Sequence, residues 1–205
     1  MGIKSISIGM MKPNKDDVIA WRGPILDRAL TQLLADVHWG DLDYLLLDLP
    51  PGTGDIAMSL GQKVPTAEVL VVTTPQQAAS EVAERAGTMA ALMNQKIIGV
   101  VENMSWLAFT APDTGKEYRI DLFGSGGGQE AADALSKRLG TEVPLLAQVP
   151  MDIELRKGGD EGDPIVTAHP ESPAAQAIVE LAKNLDSRPR GLSGMHLGVS
   201  PTNNA

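Results

Sequence analysis

The chain has 205 residues and a formal net charge of −9, with 43% hydrophobic and 21% charged residues, which is typical of one globular domain. The acidic balance argues against a nucleic-acid surface, and the absence of cysteine excludes disulfides, a thiolate nucleophile and a thiolate-held cluster within this chain. No apolar run approaches the roughly 18–20 residues of a membrane span, and the first residues lack a signal-peptide pattern, so we expect a cytoplasmic protein.

The first third of the chain alternates strand-length apolar runs with helical patterns. A strand is predicted over Ile3–Met10, and the 3.6-residue apolar spacing of Pro24–Val37 predicts a helix with proline at its first position. Tyr44–Leu49 predicts a strand buried on both faces, as in parallel α/β sheets. Asp55 is a good N-cap residue for a short helix, and Glu68–Thr74 predicts another buried strand.

The middle of the chain continues the alternation. Gln76–Asn94 predicts a long helix, and Lys96–Glu102 predicts a strand. Met104–Phe123 is less regular and is expected to hold an excursion with a small hairpin. The glycine run Gly124–Gly128 favours a flexible turn into a helix over Glu130–Leu139, although an anion at that helix N-terminus is physically allowed.

The last part of the chain predicts one more strand and a final helix. Val143–Val149 is the strand, and Ile153–Lys157 predicts a single helical turn. Pro173–Leu185 is amphipathic and follows Ser172, a good N-cap residue. The alternation predicts an α/β fold with a doubly wound, mostly parallel sheet and flanking helices. We expect one domain over residues 1–187 and a flexible tail over residues 188–205.

Asp48 ends the predicted strand Tyr44–Leu49 and is followed by the turn sequence Pro-Pro-Gly-Thr-Gly-Asp. A carboxylate at a strand's carboxyl end lies where ligands of such sheets bind, and Mg²⁺ prefers oxygen ligands. We expect Asp48 to bind Mg²⁺ directly or through water, and the amide of Gly52 to face a terminal phosphate. The alternative is that Asp48 only caps the next turn.

The phosphate-binding loop G-x-x-x-x-G-K-[ST] does not occur in this chain. Lys157–Asp163 begins with Lys-Gly-Gly but lacks the second lysine and the Ser/Thr, and its three acids would repel phosphate, so it predicts a surface loop. Two other segments are suited to a base. Asn103 offers a donor and an acceptor together, as an adenine edge requires, unless it is only a turn residue. Pro150–Asp152 is a second candidate base-contacting loop.

Several segments together resemble the Mrp/ApbC family, whose members are P-loop ATPases and iron–sulfur cluster carriers related to MinD, ParA and the nitrogenase iron protein. The segments are Asp48–Asp55, Thr73–Gln76, Gly99–Ser105, Phe123–Gly128 and Ser172–Ala175. The resemblance covers about Ile3 to Leu185.

The resemblance implies that Asp48 is the Walker B acid, that Gly52 belongs to switch II, and that Asn103 and the loop Pro150–Asp152 contact adenine. It also implies ATP and Mg²⁺ as ligands of the complete protein, a homodimer, and apo iron–sulfur proteins as clients. The acidic balance and the lack of a membrane-length apolar run separately predict no nucleic-acid or membrane partner. An iron–sulfur cluster is expected of the family, but this chain has no cysteine ligands for it.

Two features of the family have no counterpart here, namely its N-terminal Walker A portion and its Cys-x-x-Cys pair, which usually lies in the region matching Met104–Phe123. The leading hypothesis is therefore the C-terminal part of such an ATPase, inactive alone. A non-catalytic interaction module is the second hypothesis. A MinD/ParA-like positioning ATPase is the third, and it would need a membrane-targeting helix or a DNA-binding surface.

Overall fold

The computed structural model describes residues 2–11, 23–49 and 55–188. Gly52 and the tail from residue 189 onward lie outside the described residues. The helices are α1 (Gly23–Ala35), α2 (Asp55–Lys63), α3 (Gln77–Leu92), α4 (Gly127–Leu139), α5 (Ile153–Glu161), α6 (Ile165–Ala168) and α7 (Pro173–Asp186), and the strands are β1 (Glu68–Thr73), β2 (Lys96–Thr110), β3 (Glu117–Ile120) and β4 (Leu145–Met151).

The sheet is built around β2, which pairs in parallel with β1 on one side and with β4 on the other. Thr73 of β1 lies opposite Glu102, and Val149 of β4 lies opposite Asn103. The last residues of β2 form an antiparallel hairpin with β3, in which Phe109 faces Tyr118. The predicted parallel sheet and the predicted hairpin are both present.

Helices cover both faces of the sheet. Neighbouring residues of a strand point to opposite faces, so Val100 and Val101 of β2 pack against different helices. Val100 packs with Val71 and with Leu135 of α4 under α3 and α4. Val101 packs with Val149 and with residues of α6 and α7 on the other face. The two clusters confirm the doubly wound α/β fold.

Several elements extend beyond their predicted ends. β2 continues to Thr110 because β3 supplies a pairing partner for its last residues. α5 covers nine residues rather than one turn, so the loop predicted from Lys157 begins inside a helix. The carboxylate of Asp152 caps α5, accepting from the amides of Glu154 and Leu155, and the helix ends at Gly162 in a left-handed conformation (φ 78°). α7 begins after the predicted cap, since Ser172 Oγ accepts from the amide of Ala175.

Two predicted strands are wrong. Within Ile3–Met10 the chain forms no strand, and a short 3₁₀ helix covers Ile8–Met11. The Tyr44–Leu49 segment is not part of the sheet, and all its side chains are exposed, Leu46 to 87%. An apolar run becomes a buried strand only where neighbouring strands bind its edges, and in the described residues no strand pairs with this run. The side chains of Asp48 and its leucine neighbours therefore lie on the surface.

The contact between α1 and α2 predicts a dependence of stability on pH. Asp27 accepts a hydrogen bond from Ser59 and lies 3.2 Å from Lys63 Nζ, and these partners hold the pKa of Asp27 below its ordinary 3.8. A lowered folded-state pKa adds stability that is present above pH 3.8 and is lost as the pH falls through the folded-state value. The effect is small because the group is exposed.

We expect the difference in unfolding free energy between the wild type and Asp27→Asn to shrink as the pH falls from about 5 to about 2. Denaturant titrations across this range measure it, with Asp36→Asn, just beyond α1, as the matched control. A difference that stays constant across the range would contradict the ionic role of Asp27.

Candidate functional site

The carboxyl ends of β1, β2 and β4 meet at one edge of the sheet, since the three strands are parallel. Asn103 lies opposite Val149, so it neighbours Pro150 on the adjacent strand. The structure thus brings together the two predicted base-contacting segments, since Asn103 and Pro150 are 47 positions apart in the sequence. Their predicted role in binding adenine stays a prediction.

The backbone after Asn103 departs from regular strand geometry. Pairing with β4 shifts between Asn103 and Leu107, and Met104 has a positive φ of 56°. The side-chain oxygen Oδ1 of Asn103 accepts a hydrogen bond of 2.8 Å from the amide of Met104. This contact takes one of the two acceptor positions of Oδ1, so the side chain can still offer a ligand its amide nitrogen as a donor. Irregular strand ends of this kind are common beside ligand sites.

A cleft of about 310 Å³ opens beside Pro150. Its lining combines the last residues of β2, the end of β4 and the starts of α5 and α7: Leu107, Ala108, Phe109, Pro150, Met151, Asp152, Ile153 and Pro173. Most of these side chains are apolar, and a flat apolar ligand group is the kind that such a lining accepts. The carboxylate oxygen Oδ1 of Asp152 is already committed to capping α5 at 2.7 and 3.2 Å. Any contact of Asp152 with a ligand must therefore use its second oxygen.

Glu102 is the buried charged residue of this edge, with 1% of its surface exposed. Its Oε2 accepts from the amide of Gly128 at 2.6 Å, and its Oε1 accepts from Gln148 Nε2 at 2.7 Å. Ser105 Oγ donates to the carbonyl of Glu102 at 2.9 Å. A carboxylate at a helix N-terminus is stabilised by the free amides and the helix dipole. Glu102 therefore joins β2, α4 and β4.

Sequence reasoning assigned Glu102 no role and treated it only as the last residue of a strand. The available signal was the acid at the end of the apolar run KIIGVVE, because a carboxylate that is buried there needs hydrogen-bonding partners. The glycine run ahead of α4 is the other half of that signal.

Gly127 and Gly128 are required by close packing. A Cβ at Gly127 would lie 2.4 Å from the carbonyl oxygen of Pro75, and one at Gly128 would lie 2.6 Å from Glu102 Cβ. Ser80 Oγ donates to the carbonyl of Gly127 at 2.8 Å and holds this turn against α3. The helix N-terminus that could have bound an external anion thus already binds the carboxylate of Glu102.

Asp48 lies on the exposed Tyr44–Leu49 segment, outside the sheet edge that holds Asn103 and Pro150. Among the described residues there is no group of three or more His, Cys, Asp or Glu side chains that could hold a metal ion. A single carboxylate fits one protein ligand of a Mg²⁺ ion that otherwise takes phosphate and water oxygens. The role of Asp48 in binding Mg²⁺ stays a prediction, and the chain has no cysteine that could hold an iron–sulfur cluster.

The fold and this sheet edge define a P-loop-NTPase-like α/β protein. The family model described as ParA, NUBPL iron-transfer P-loop NTPase, matches residues 1–186, and the chain belongs to this family. This confirms the resemblance drawn from the sequence motifs. Within the described residues no helix is long and apolar enough to cross a membrane.

The curated relatives carry the name iron-sulfur cluster carrier protein. The one from Mycobacterium leprae is 54% identical over 200 residues, which cover 98% of this chain and 51% of that protein. The one from Deinococcus radiodurans is 46% identical over 184 residues, covering 90% of this chain and 49% of that protein. The chain therefore spans about half the length of the curated relatives it matches.

Solved structures of similar fold include two with bound ADP. The nucleotide-binding protein from Archaeoglobus fulgidus in complex with ADP is 36% identical, has a TM-score of 0.53, and is matched over 68% of this chain and 53% of that chain. The septum site-determining protein MinD from Pyrococcus horikoshii, complexed with Mg-ADP, is 25% identical, has a TM-score of 0.56, and is matched over 87% of this chain and 60% of that chain.

The packing at Gly128 predicts a position-specific cost for a methyl group. Gly128→Ala forces apart α4 and β2 at Glu102, and we expect a loss of about 1–3 kcal/mol in the free energy of unfolding. Gly159→Ala is the matched control, because Gly159 lies in α5 with open space at its Cβ position, and there alanine should stabilise by up to about 1 kcal/mol. Denaturant unfolding of both variants tests this, and equal effects at the two sites would contradict it.

Proposed function

We propose that this chain forms the base-binding side of the nucleotide site in an MgATP-dependent iron–sulfur cluster carrier. The main observation behind this proposal is that Asn103 and the loop Pro150–Asp152 lie next to each other at the carboxyl edge of the sheet, beside an apolar cleft. Two solved structures of similar fold are complexes with ADP, and this supports a purine nucleotide as the ligand. The names of the curated relatives support cluster transfer as the activity that the nucleotide serves.

In this proposal each predicted site residue keeps a distinct role. Asn103 donates from its amide nitrogen to the edge of adenine, while Pro150 packs against the base and Asp152 holds the loop by capping α5. Asp48 supplies a carboxylate to Mg²⁺, directly or through water, and Gly52 approaches the terminal phosphate. ATP and Mg²⁺ are ligands of the complete site, which also needs a phosphate-binding loop.

The proposal extends to the assembly and its surroundings. We infer a cytoplasmic homodimer that passes a cluster to apo iron–sulfur proteins. The cluster is cargo, and cysteines outside this chain must hold it, because Ser and Asp oxygens are poor ligands for iron–sulfur clusters. The domain is proposed to cover residues 1–187.

A non-catalytic interaction module is the second candidate function. It is favoured by the β2–β3 hairpin, which presents the exposed side chains of Phe109, Tyr118 and Ile120. The aromatic pair stacks with its ring centroids 5.3 Å apart. Such a surface fits a docking role whether or not the chain also binds a nucleotide.

Nucleotide binding has a direct test by NMR. On titration with Mg-ADP, the amide resonances of Asn103, Met151 and Asp152 should shift, because these residues line the proposed base site. Asn103→Ala should weaken the apparent affinity about tenfold, as expected when one hydrogen-bonding side chain is lost. Asn184→Ala, an exposed asparagine on α7, is the matched control and should leave the affinity unchanged. Shifts confined to other parts of the chain would refute this assignment of the base site.

Hydrolysis is the second test. Without a lysine and an amide cradle for the phosphates, the chain lacks the charge stabilisation that phosphoryl transfer needs, so we expect no ATP turnover above buffer. Asp48→Ala should behave like the wild type in this assay. Robust ATP turnover by the wild type that disappears in Asp48→Ala would contradict the prediction.

A further inference from the structure

The side chains of Glu102 and Gln148 form a polar pair immediately before the two segments of the proposed base site. Glu102 precedes Asn103, and Gln148 comes two residues before Pro150. The two members of the pair lie opposite each other on the parallel strands β2 and β4, and Gln148 Nε2 donates to Glu102 Oε1 at 2.7 Å. The hydrogen bond therefore joins the ends of the two strands that carry the base site.

The two oxygens of the Glu102 carboxylate serve different purposes. Oε2 accepts from the amide of Gly128 in the first turn of α4 at 2.6 Å. The N-cap residue of this helix, Gly126, has no side chain that could accept from the amide, so the carboxylate replaces a cap. Oε1 also needs a partner because the group is buried, and that partner comes from β4. The first bond thus caps a helix, whereas the second joins two strands.

Backbone pairing between β2 and β4 becomes irregular where the base site begins. The last regular pair includes Asn103, and between it and the next pair β2 has three residues whereas β4 has only Pro150. Proline has no amide hydrogen and cannot donate to the neighbouring strand. The bond between Glu102 and Gln148 is therefore a side-chain contact that holds the two strands together just before their backbone pairing is interrupted.

The orientation of the Asn103 side chain is fixed only within its own strand. Its Oδ1 accepts from the amide of Met104, which has a positive φ of 56°. This contact orients the side-chain amide relative to β2, but it does not set the distance to Pro150 on β4. Contacts between the two strands set that distance, and the bond between Glu102 and Gln148 is such a contact.

We propose that Glu102 and Gln148 are positioning residues for the nucleotide base, an inference that rests on the base site proposed above. In this arrangement neither side chain touches the base. Their hydrogen bond sets the distance between Asn103, which donates to the base, and Pro150, which packs against it. A hydrogen-bond donor must be held within about 0.5 Å of its productive position, so a small displacement of one strand end past the other loses the contact from Asn103.

The first test breaks the pair and leaves the cap of α4 in place. Gln148→Leu removes the donor at similar size, and the apparent affinity for Mg-ADP in an NMR titration should fall about fivefold. Gln129→Leu is the matched control, because Gln129 is an exposed glutamine whose Nε2 donates to the carboxylate of Asp133 at 2.8 Å. The control variant should bind like the wild type. Circular dichroism checks that both variants fold.

The second test reverses the polarity of the pair. Gln148→Glu alone places two carboxylates against each other, and it should weaken binding about tenfold. Combining it with Glu102→Gln restores a hydrogen bond, since an amide at position 102 can accept from Gly128 and donate to a carboxylate at position 148. The double variant has the net charge of the wild type and should bind within about twofold of it.

The third test asks whether the pair acts through Asn103. Losses of affinity at independent residues multiply, whereas losses at residues that act through one contact do not. Gln148→Leu combined with Asn103→Ala should therefore bind about as weakly as Asn103→Ala alone. Denaturant unfolding of each variant measures the separate effect on stability, which this coupling does not depend on.

Three results would overturn the positioning role while leaving the base site intact. They are wild-type affinity in Gln148→Leu, losses that multiply in the combination with Asn103→Ala, and a Glu102→Gln/Gln148→Glu variant that binds no better than Gln148→Glu. A wild type whose Asn103 and Asp152 amides do not shift with Mg-ADP would refute the base site itself and this role with it. The two failures are therefore distinguishable.

Discussion

The shared carboxylate of Glu102 is the contact on which the arrangement of the candidate site depends. It is buried, it accepts from the Gly128 amide of α4 and from Gln148 of β4, and it belongs to the central strand β2. A buried carboxylate is costly unless its oxygens are hydrogen-bonded, so these partners are obligatory rather than incidental. Because Asn103 is the next residue, the position of the candidate base-binding asparagine is fixed by the same contacts. Because Gly127 and Gly128 have no Cβ, α4 can approach this carboxylate closely.

The central position of β2 explains why residues distant in sequence converge at one edge. β2 is the strand that pairs with β1, β3 and β4, and its pairing register places Thr73 opposite Glu102 and Val149 opposite the next residue, Asn103. The pairing with β4 shifts between Asn103 and Leu107, and Leu107 pairs both with Met151 of β4 and with Ile120 of the hairpin. The cleft lies at this shift, between the hairpin and the start of α5. The irregularity of one strand thus creates the space that a ligand would occupy.

The parts of the fold that could be predicted are those whose local pattern and tertiary partners agree. The β1 and β2 strands and the helices α1, α3 and α7 follow from periodicity and caps, and the structure confirms them. The Tyr44–Leu49 prediction failed because apolar periodicity reports the preference of a segment and not whether neighbouring strands are present to pair with it. Of the candidate site, the adjacency of Asn103 and Pro150 follows from parallel topology. The hydrogen bonds of Glu102 to Gly128 and Gln148 could not be predicted, because these partners are 26 and 46 residues away in sequence.

The β2–β3 hairpin lies in the region where the family's cysteine pair was expected, and contacts of its aromatic side chains stabilise it. Phe109 stacks on Tyr118 across the two strands, and the guanidinium of Arg119 lies 4.1 Å from the ring centroid of Trp106. Cross-strand aromatic pairs and cation–π contacts each contribute on the order of 0.5–1 kcal/mol, and here they occupy opposite faces of the same hairpin. These contacts hold the two strands of the hairpin together by side-chain packing. Because the chain has no cysteine, the hairpin presents aromatic and cationic side chains where a cysteine pair would present thiolates.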